Sequence, residues 1–154
     1  MHAGELAEPF PVVGLATDVL TAARTMGDRR LPGVIVCEED GRPHTILPGS
    51  QVVRFMIPAY VQDDPTLARV YDESASEKLM TKLSKRTVRD LLPEPQDRDE
   101  LPVVDQDATI LEVAAVMARM RSPLVAVVEG GRVIGAVTVS RLFEALFPQQ
   151  PDAS

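Results

Sequence analysis

The chain has 154 residues, a formal net charge of −7 at pH 7 and an isoelectric point near 4.8. An acidic chain lacks the basic face that contact with a nucleic-acid backbone requires, so we expect no nucleic-acid partner. No apolar run approaches the ~20 residues of a membrane-spanning helix, which argues against direct membrane insertion.

Other features of the composition bear on the cellular compartment. The chain is 45% hydrophobic and 25% charged, which is ordinary for a globular protein. The single cysteine, Cys37, excludes an internal disulfide and is consistent with a reducing compartment. The first apolar stretch is short, is interrupted by prolines and lacks a basic leader. These features together predict a cytoplasmic protein.

An internal repeat organises the sequence. Residues of the two halves match at an offset of 91, as in Val13 with Val104, Met26 with Met117, Pro32 with Pro123 and Val36 with Val127. After a one-residue slip the offset is 90, as in Gly41 with Gly131 and Ser50 with Ser140. Each copy is one supersecondary unit, too small to bury its own apolar faces. The repeat therefore predicts two pseudo-symmetric units with matched clefts.

Periodicity and turn residues place the first half of the elements. Met1–Pro9 is small and polar with nothing evident to anchor it, and we expect it to be loose. The first copy predicts the order strand, helix, strand, strand, helix. These are a strand at Pro11–Val13, a helix capped by Thr17 or Asp18 and ending near Arg29, strands at Gly33–Cys37 and Thr45–Leu47, and a helix from Gln51 to about Tyr60 capped by Ser50.

The segment Val61–Leu101 between the copies has no evident counterpart before the first copy. Its apolar spacing, including Tyr71, predicts one amphipathic helix over Pro65–Leu83, weakened at Ser74–Ser76, and then a helical turn at Thr87–Leu92. The second copy predicts a strand at Pro102–Val104, a helix over Ile110–Met120 capped by Asp107 or Thr109, strands at Leu124–Val128 and Val133–Val137, and a helix over Arg141–Phe147 capped by Ser140. The tail after Pro148 is expected to fray.

Three stretches make the chain similar to a known family. TVRDLL (Thr87–Leu92) resembles a short helical lead-in, ATILEVAAVMARMRSPLVAVVEGGRVIGAVTVSRLFEAL (Ala108–Leu146) resembles a whole repeat, and Val12–Met56 resembles one more loosely. The family is the tandem cystathionine-β-synthase (CBS) domain pair, or Bateman module, here of the stand-alone bacterial type. The resemblance implies an α/β (α+β) fold of two pseudo-symmetric β-α-β-β-α repeats packed sheet to sheet. The expected domains are repeat 1 at 10–60, an inserted helical segment at 61–86, and repeat 2 with its lead-in at 87–148.

The resemblance also implies that the inter-repeat cleft holds a regulatory ligand: AMP, ADP, ATP or S-adenosylmethionine, none of them an essential cofactor. By family analogy, the ligand-binding residues are Thr138, Ser140, Arg141, Ser122, Pro123, Val104, Ser50, Pro32 and Val13. The structural alternative for Ser50 and Ser140 is that each caps a helix and does not bind ligand.

The family's last strand-to-helix turn carries Thr or Ser, and three residues later an Asp that takes the ribose hydroxyls. Here Thr138 is followed by Arg141 in the second copy, while Pro48 and Gln51 occupy these places in the first. Arginine only donates hydrogen bonds and glutamine accepts through one neutral oxygen, so the usual ribose recognition is disfavoured in both copies. At the start of a helix, Arg141 suits a phosphate instead.

Motifs for catalysis and metal binding are missing. There is no GxSxG, no phosphate-cradling glycine loop and no HExxH, so we predict no enzymatic activity. His2 and His44 are far apart, and the Asp105/Asp107 pair has no third ligand close in sequence, so we predict no metal site. The resemblance implies a homodimeric sensor acting in trans on an effector protein, an enzyme or a transporter. The alternative is a dimerisation or interaction module with degenerate clefts that binds no ligand, with the inserted helix as its docking element.

Overall fold

The computed structural model describes residues 1–70, 74–98 and 100–149. It is a mixed α/β structure with two three-stranded sheets, which confirms the predicted fold class. The chain divides into two compact units. Unit 1 comprises Met1–Pro11, Glu39–His44 and Glu100–Ser154, and unit 2 comprises Val12–Glu38 and Thr45–Asp99. Each unit has a hydrophobic core of its own.

The described elements follow in chain order. They are α1 (Ala3–Leu6), β1 (Val12–Gly14), α2 (Val19–Arg29), β2 (Gly33–Cys37), β3 (Pro43–Pro48), α3 (Gly49–Met56), α4 (Ala59–Asp63), a 3-10 helix (Pro65–Val70), α5 (Ser74–Ser84), α6 (Val88–Leu91), a 3-10 turn (Pro95–Asp97), β4 (Val103–Asp105), α7 (Ile110–Met120), β5 (Leu124–Glu129), β6 (Arg132–Thr138) and α8 (Val139–Leu146).

The two sheets have the same topology. One has the order β1-β2-β3 and the other β4-β5-β6. In each, the first strand runs parallel to the second, with Val13 opposite Val36 and Val104 opposite Val127. All five residues of β2 are buried, which explains its uninterrupted apolar sequence. The sheets therefore reproduce the sequence repeat.

The first long helix of each copy begins and ends in equivalent ways. Asp18 caps α2 by accepting a hydrogen bond from the Thr21 amide at 2.9 Å, and Thr109 caps α7 by accepting from the Glu112 amide at 3.2 Å. Both helices end at a residue in the left-handed conformation, Arg30 (φ 56°) and Arg121 (φ 51°). Of the two caps considered for each helix, the structure selects Asp18 and Thr109.

The predicted serine caps of the final helices are wrong. α3 begins at Gly49 after Pro48, and α8 begins at Val139 after Thr138, so both helices start directly where a strand ends. The first amide of each helix donates outside it, from Gly49 N to the Pro32 carbonyl at 2.7 Å and from Val139 N to the Pro123 carbonyl at 3.0 Å. These bonds satisfy amides that a helix leaves unpaired. Ser50 and Ser140 are the second residues inside their helices, and the side chain that caps α8 is that of Thr138.

The end of α3 and the middle segment also differ from prediction. α3 stops at Met56, and Pro58 precedes a separate helix, α4, because proline disfavours helical conformation in the residue before it. Pro65–Val70 is a 3-10 helix, and α5 starts at Ser74, where the sequence predicted the weak middle of one longer helix. The predicted helical position Tyr71 and the frayed tail beyond Gln149 lie outside the described residues.

The N-terminal segment is anchored, which corrects the expectation that it is loose. Ala3 and Leu6 of α1 are fully buried in the core of unit 1. The Ala3 and Gly4 amides donate to the carbonyls of Ala108 and Gln106 at 2.8 and 2.9 Å. Farther along, Glu8 and Ala136 exchange two backbone hydrogen bonds at 2.9 and 3.0 Å. We call His2–Glu8 the N-terminal strap.

The N-terminal strap has a counterpart in unit 2, which also corrects the sequence interpretation. The Val88 and Arg89 amides donate to the carbonyls of Thr17 and Leu15 at 2.8 and 3.0 Å, as the amides of α1 do in unit 1. We call Thr87–Leu91 the middle strap. The segment that precedes the first copy is therefore part of unit 1, and the segment that precedes the second copy is part of unit 2.

Candidate functional site

Five of the predicted ligand-binding residues belong to one end of the sheet in unit 1. β5 and β6 are antiparallel, with Leu124 opposite Thr138, so the Ser122–Pro123 turn before β5 adjoins the end of β6. Pro123 is bonded to the first amide of α8, and Ser140 and Arg141 follow in the same turn of that helix. The fold thus brings Ser122, Pro123, Thr138, Ser140 and Arg141 close together.

The hydroxyl groups at this end are used differently. Thr138 Oγ1 accepts a hydrogen bond from the Arg141 amide at 3.1 Å and so caps α8. Ser122 Oγ donates to the Leu124 carbonyl at 2.6 Å and fixes the turn before β5. Ser140 is exposed and lines an open depression of about 840 Å³, together with Phe143, Glu144, Phe147, Pro148 and Gln149. Ser140 is thus the most accessible hydroxyl of the three.

The remaining predicted residues do not join this group. Val104 and Val13 are 6% and 8% exposed, and their side chains pack in the cores of units 1 and 2. Pro32 and Ser50 belong to the equivalent end of the sheet in unit 2, where the Pro32 carbonyl accepts the hydrogen bond from Gly49. The residues named by analogy therefore form one set in each unit, with the valines as packing positions.

Arg141 has the most specific surroundings of the predicted residues. Its side chain is 25% exposed, and Nε donates to the Leu6 carbonyl of the N-terminal strap at 3.2 Å. Nε also lies 3.7 Å from a carboxylate oxygen of Glu8, and Nη1 donates to Glu144 at 2.8 Å. The Nη2 group donates no hydrogen bond to any of the described residues. The guanidinium group is therefore held in place with donors to spare.

Gln51 occupies the equivalent place in unit 2 and makes the equivalent bond. Its Nε2 donates to the Leu91 carbonyl at 3.2 Å, at the end of the middle strap. Leu6 and Leu91 are the last residues of α1 and α6. An aspartate here would present only acceptors to that carbonyl. The two departures from the family's acidic residue thus have one structural explanation: each position needs a donor.

Sequence reasoning missed Leu6, Glu8 and Leu91 because the straps are too short to show periodicity. A signal was present at an offset of 85: HAGEL (2–6) and TVRDL (87–91) share an acidic residue followed by leucine. In both, the acidic side chain accepts from the backbone amide that begins the strap, Glu5 from His2 at 3.4 Å and Asp90 from Thr87 at 3.0 Å. The bond from Thr87 holds the pKa of the exposed Asp90 carboxyl below its usual value.

The described part of the chain was also compared with the requirements of a metal site and of a membrane-spanning helix. Across residues 1–70, 74–98 and 100–149, no group of three or more His, Cys, Asp or Glu side chains is placed to hold a metal ion. Asp105 accepts a hydrogen bond from the Asp107 amide at 3.3 Å, so this pair is part of a turn. None of the helices in these ranges has the length and apolar character needed to cross a membrane.

Comparisons with known proteins give a consistent result. The family model for the CBS domain matches residues 88–148. The crystal structure of a CBS domain-containing protein of unknown function from Kribbella flavida is 57% identical over 95% of this chain and 98% of that one, with a TM-score of 0.85. A comparison with curated proteins found no match.

More distant structures share the fold. The CBS domain of a CBS domain-containing membrane protein from Sphaerobacter thermophilus has a TM-score of 0.71 at 20% identity, over 97% of this chain and 90% of that one. CBSX2 in complex with AMP has a TM-score of 0.64 at 18% identity, over 94% and 95% of the two chains.

Proposed function

The chain belongs to the CBS-domain proteins, and from that premise we propose that it is a regulatory module that senses an adenosine nucleotide or a related phosphate ligand. CBS-pair proteins are typically regulatory, and the proposal assigns no catalytic step to this chain. We place the ligand's phosphate in unit 1, at the end of β6 and the start of α8. Arg141 is the residue that would bind it.

The uncommitted donors of Arg141 are the observation that carries this proposal. Its Nη2 group donates no hydrogen bond to the described residues, while Nε and Nη1 contact Leu6, Glu8 and Glu144. A guanidinium binds phosphate oxygens through charge-assisted hydrogen bonds that can be bidentate. Thr138 caps the adjacent helix, whose N-terminal dipole also favours an anion.

The same geometry limits how much the ribose of a nucleotide can contribute to its affinity. Arg141 and Gln51 both present donors where the family's aspartate would accept the hydroxyl groups of a ribose. The phosphate should therefore contribute more to affinity than the sugar does. A distant relative of the same fold, CBSX2, has been crystallised with AMP, which makes adenine nucleotides the first compounds to test.

We further propose that the protein is a homodimer and that ligand binding is read by an effector protein acting in trans. Two aromatic side chains at the end of α8 support self-association, because Phe143 and Phe147 are 53% and 72% exposed. Their ring centroids lie 6.1 Å apart, beside the open depression. Aromatic residues are enriched at protein interfaces relative to the rest of the protein surface.

The function is tested by thermal shift against AMP, ADP, ATP, S-adenosylmethionine and inorganic phosphate. A ligand present at 100 times its Kd adds about 2.7 kcal/mol to the free energy of unfolding. That increment raises Tm by about 5–10 °C for a chain of this length. The shift should be lost in Arg141→Gln and kept in Arg119→Gln, which removes an exposed arginine of α7. No shift with any compound, or an equal shift in both variants, would reject this assignment.

A second function is favoured by a specific observation: both equivalent side chains, Arg141 and Gln51, are already bonded to a strap. Glu8 and Glu144 also provide opposite charge for Arg141. On this evidence the alternative is an interaction module that binds no ligand and acts through dimerisation. It predicts a flat thermal-shift panel together with a dimer that the Phe143→Ser/Phe147→Ser variant dissociates, as measured by light scattering.

A further inference from the structure

The N-terminal strap differs from the middle strap in two ways that matter for regulation. It ends in a pair of backbone hydrogen bonds with β6, between Glu8 and Ala136. The middle strap is continuous with α5 on one side and with the turn leading to β4 on the other. Detachment of the N-terminal strap would therefore expose the backbone of β6 at Ala136.

The side chains that hold the two straps also differ. Gln51 is neutral and donates one hydrogen bond to the middle strap. Arg141 is charged, donates to the Leu6 carbonyl, and lies 3.7 Å from Glu8 of the same strap. A phosphate competes directly for a guanidinium that is bonded to a carbonyl and near a carboxylate, because its bonds to arginine are stronger and can be bidentate.

We propose that Arg141 is a latch, and that phosphate binding withdraws it from Leu6 and Glu8 and so releases the N-terminal strap. This inference rests on the proposed function, because the same side chain is the phosphate ligand there. Release would uncover the backbone of Ala136 in β6 and the core positions that Ala3 and Leu6 fill. A change of that size is a surface signal that an effector protein can detect.

The latch obeys a thermodynamic condition. A ligand shifts an equilibrium only through its different affinities for the two states. The released state offers Arg141 without competition from the strap, so the ligand should bind that state more tightly. Conversely, a strap that cannot leave should weaken ligand binding.

The structure provides a way to lock the strap. A Cβ atom built on Gly4 lies 3.2 Å from the Cβ of Gln106, and Gly4 is exposed. Disulfides join Cβ atoms about 3.5–4.5 Å apart, so a Gly4→Cys/Gln106→Cys variant needs a shift of only a few tenths of an ångström. The natural Cys37 is buried in β2 of unit 2. The reduced form of the same variant is the matched control.

Two readouts test the latch, with AMP and with inorganic phosphate as the probes. Calorimetry measures affinity, and hydrogen exchange measures protection of the Ala3, Gly4 and Glu8 amides, whose acceptors lie outside the strap. In the wild type and in the reduced variant, a bound probe should speed exchange of these amides by at least about fivefold. The oxidised variant should bind the probe at least about fivefold more weakly, the lower end of ordinary coupling between sites.

The contrary outcomes are distinguishable. If a probe binds but exchange of the strap is unchanged or slower, or if the oxidised variant binds equally well, the latch is wrong and the proposed ligand site stands. If neither probe nor any other compound of the panel binds to the wild type, the proposed function and the latch are both rejected.

Discussion

Arg141 Nε donates a hydrogen bond to the carbonyl oxygen of Leu6, a residue 135 positions earlier in the chain, at 3.2 Å. Gln51 makes the equivalent bond to Leu91 in unit 2. Each side chain closes the end of a short helix whose last carbonyls have no partner within the helix. This pair of bonds connects the family's ligand-binding position to the docking of the straps, and the predictions below follow from it.

Replacing Arg141 by methionine keeps much of its apolar stem and removes the donors. We expect Arg141→Met to lower the free energy of unfolding by about 1–2 kcal/mol, because a charge-assisted bond to a partly exposed group is lost. Chemical denaturation measures the change, and exchange of the Ala3 amide locates it. Arg119→Met on the exposed side of α7 should change stability by less than about 0.5 kcal/mol. Equal effects of the two substitutions would contradict a specific role for Arg141.

In unit 2, Gln51→Glu replaces a donor by a carboxylate that faces the Leu91 carbonyl at about the 3.2 Å of the present bond. The free energy of unfolding should fall by about 1–2 kcal/mol at pH 7. Repulsion raises the pKa of the introduced carboxyl in the folded chain, so the loss should disappear as the pH falls below about 4.3, where the protonated group can donate. Gln96→Glu, in an exposed turn, is the control. A pH-independent loss would show that another interaction is responsible.

Gly135 is required by the close approach of the N-terminal strap. A Cβ atom at this position would lie 2.6 Å from the Glu8 carbonyl oxygen. Relieving this clash requires the backbone to move. Gly135→Ala should therefore cost about 1–3 kcal/mol and loosen the strap. The matched variant Gly27→Ala places its Cβ in open space within α2 and should stabilise by about 0.5–1 kcal/mol. Thermal denaturation of both variants decides, and a neutral Gly135→Ala would mean that the strap docks differently.

The C-terminus of α7 carries an arginine where helices commonly have glycine. Arg121 has φ 51°, a conformation that glycine adopts without steric cost. We expect Arg121→Gly to raise the free energy of unfolding by about 0.5–1 kcal/mol. Arg119→Gly, in the same helix with ordinary backbone angles, should lower it by about 1 kcal/mol. Changes of opposite sign in the unfolding free energy of the two variants would confirm the strain at Arg121. A loss of stability in both variants would contradict it.

The cap of α2 gives the protein a predictable acid sensitivity. Hydrogen bonds from the Thr21 hydroxyl and amide hold the pKa of the Asp18 carboxyl below its usual value. A lowered pKa means that the carboxylate stabilises the folded chain above about pH 4, and that this contribution is lost as the pH falls through the folded-state pKa. Tm should thus decline less between pH 6 and pH 3 in Asp18→Asn than in the wild type. Asp28→Asn, at an exposed position of the same helix, should keep the wild-type dependence, and parallel curves for all three would contradict the assignment.

Local sequence patterns were sufficient to predict the main helices and strands. The helix Ile110–Met120 and the strand Gly33–Cys37 have the predicted bounds and α2 ends at the predicted Arg29, since each shows clear periodicity or an unbroken apolar run. The serine caps failed because α3 and α8 begin at Gly49 and Val139, one residue before each serine, where their first amides bond to the carbonyls of Pro32 and Pro123. Those carbonyls come from a neighbouring turn, and no residue next to the helix indicates them.

By itself, the sequence determined the internal repeat, the α/β class and the departure of Arg141 and Gln51 from the family's acidic residue. Only the tertiary structure decided what those two side chains do and where the straps dock. The physical reason is the range of the interactions: a four-residue helix has too few positions to show a pattern, and a guanidinium can bond to any carbonyl that folding brings within reach. In this protein that carbonyl belongs to Leu6, in a segment that looked unanchored until its core contacts were known.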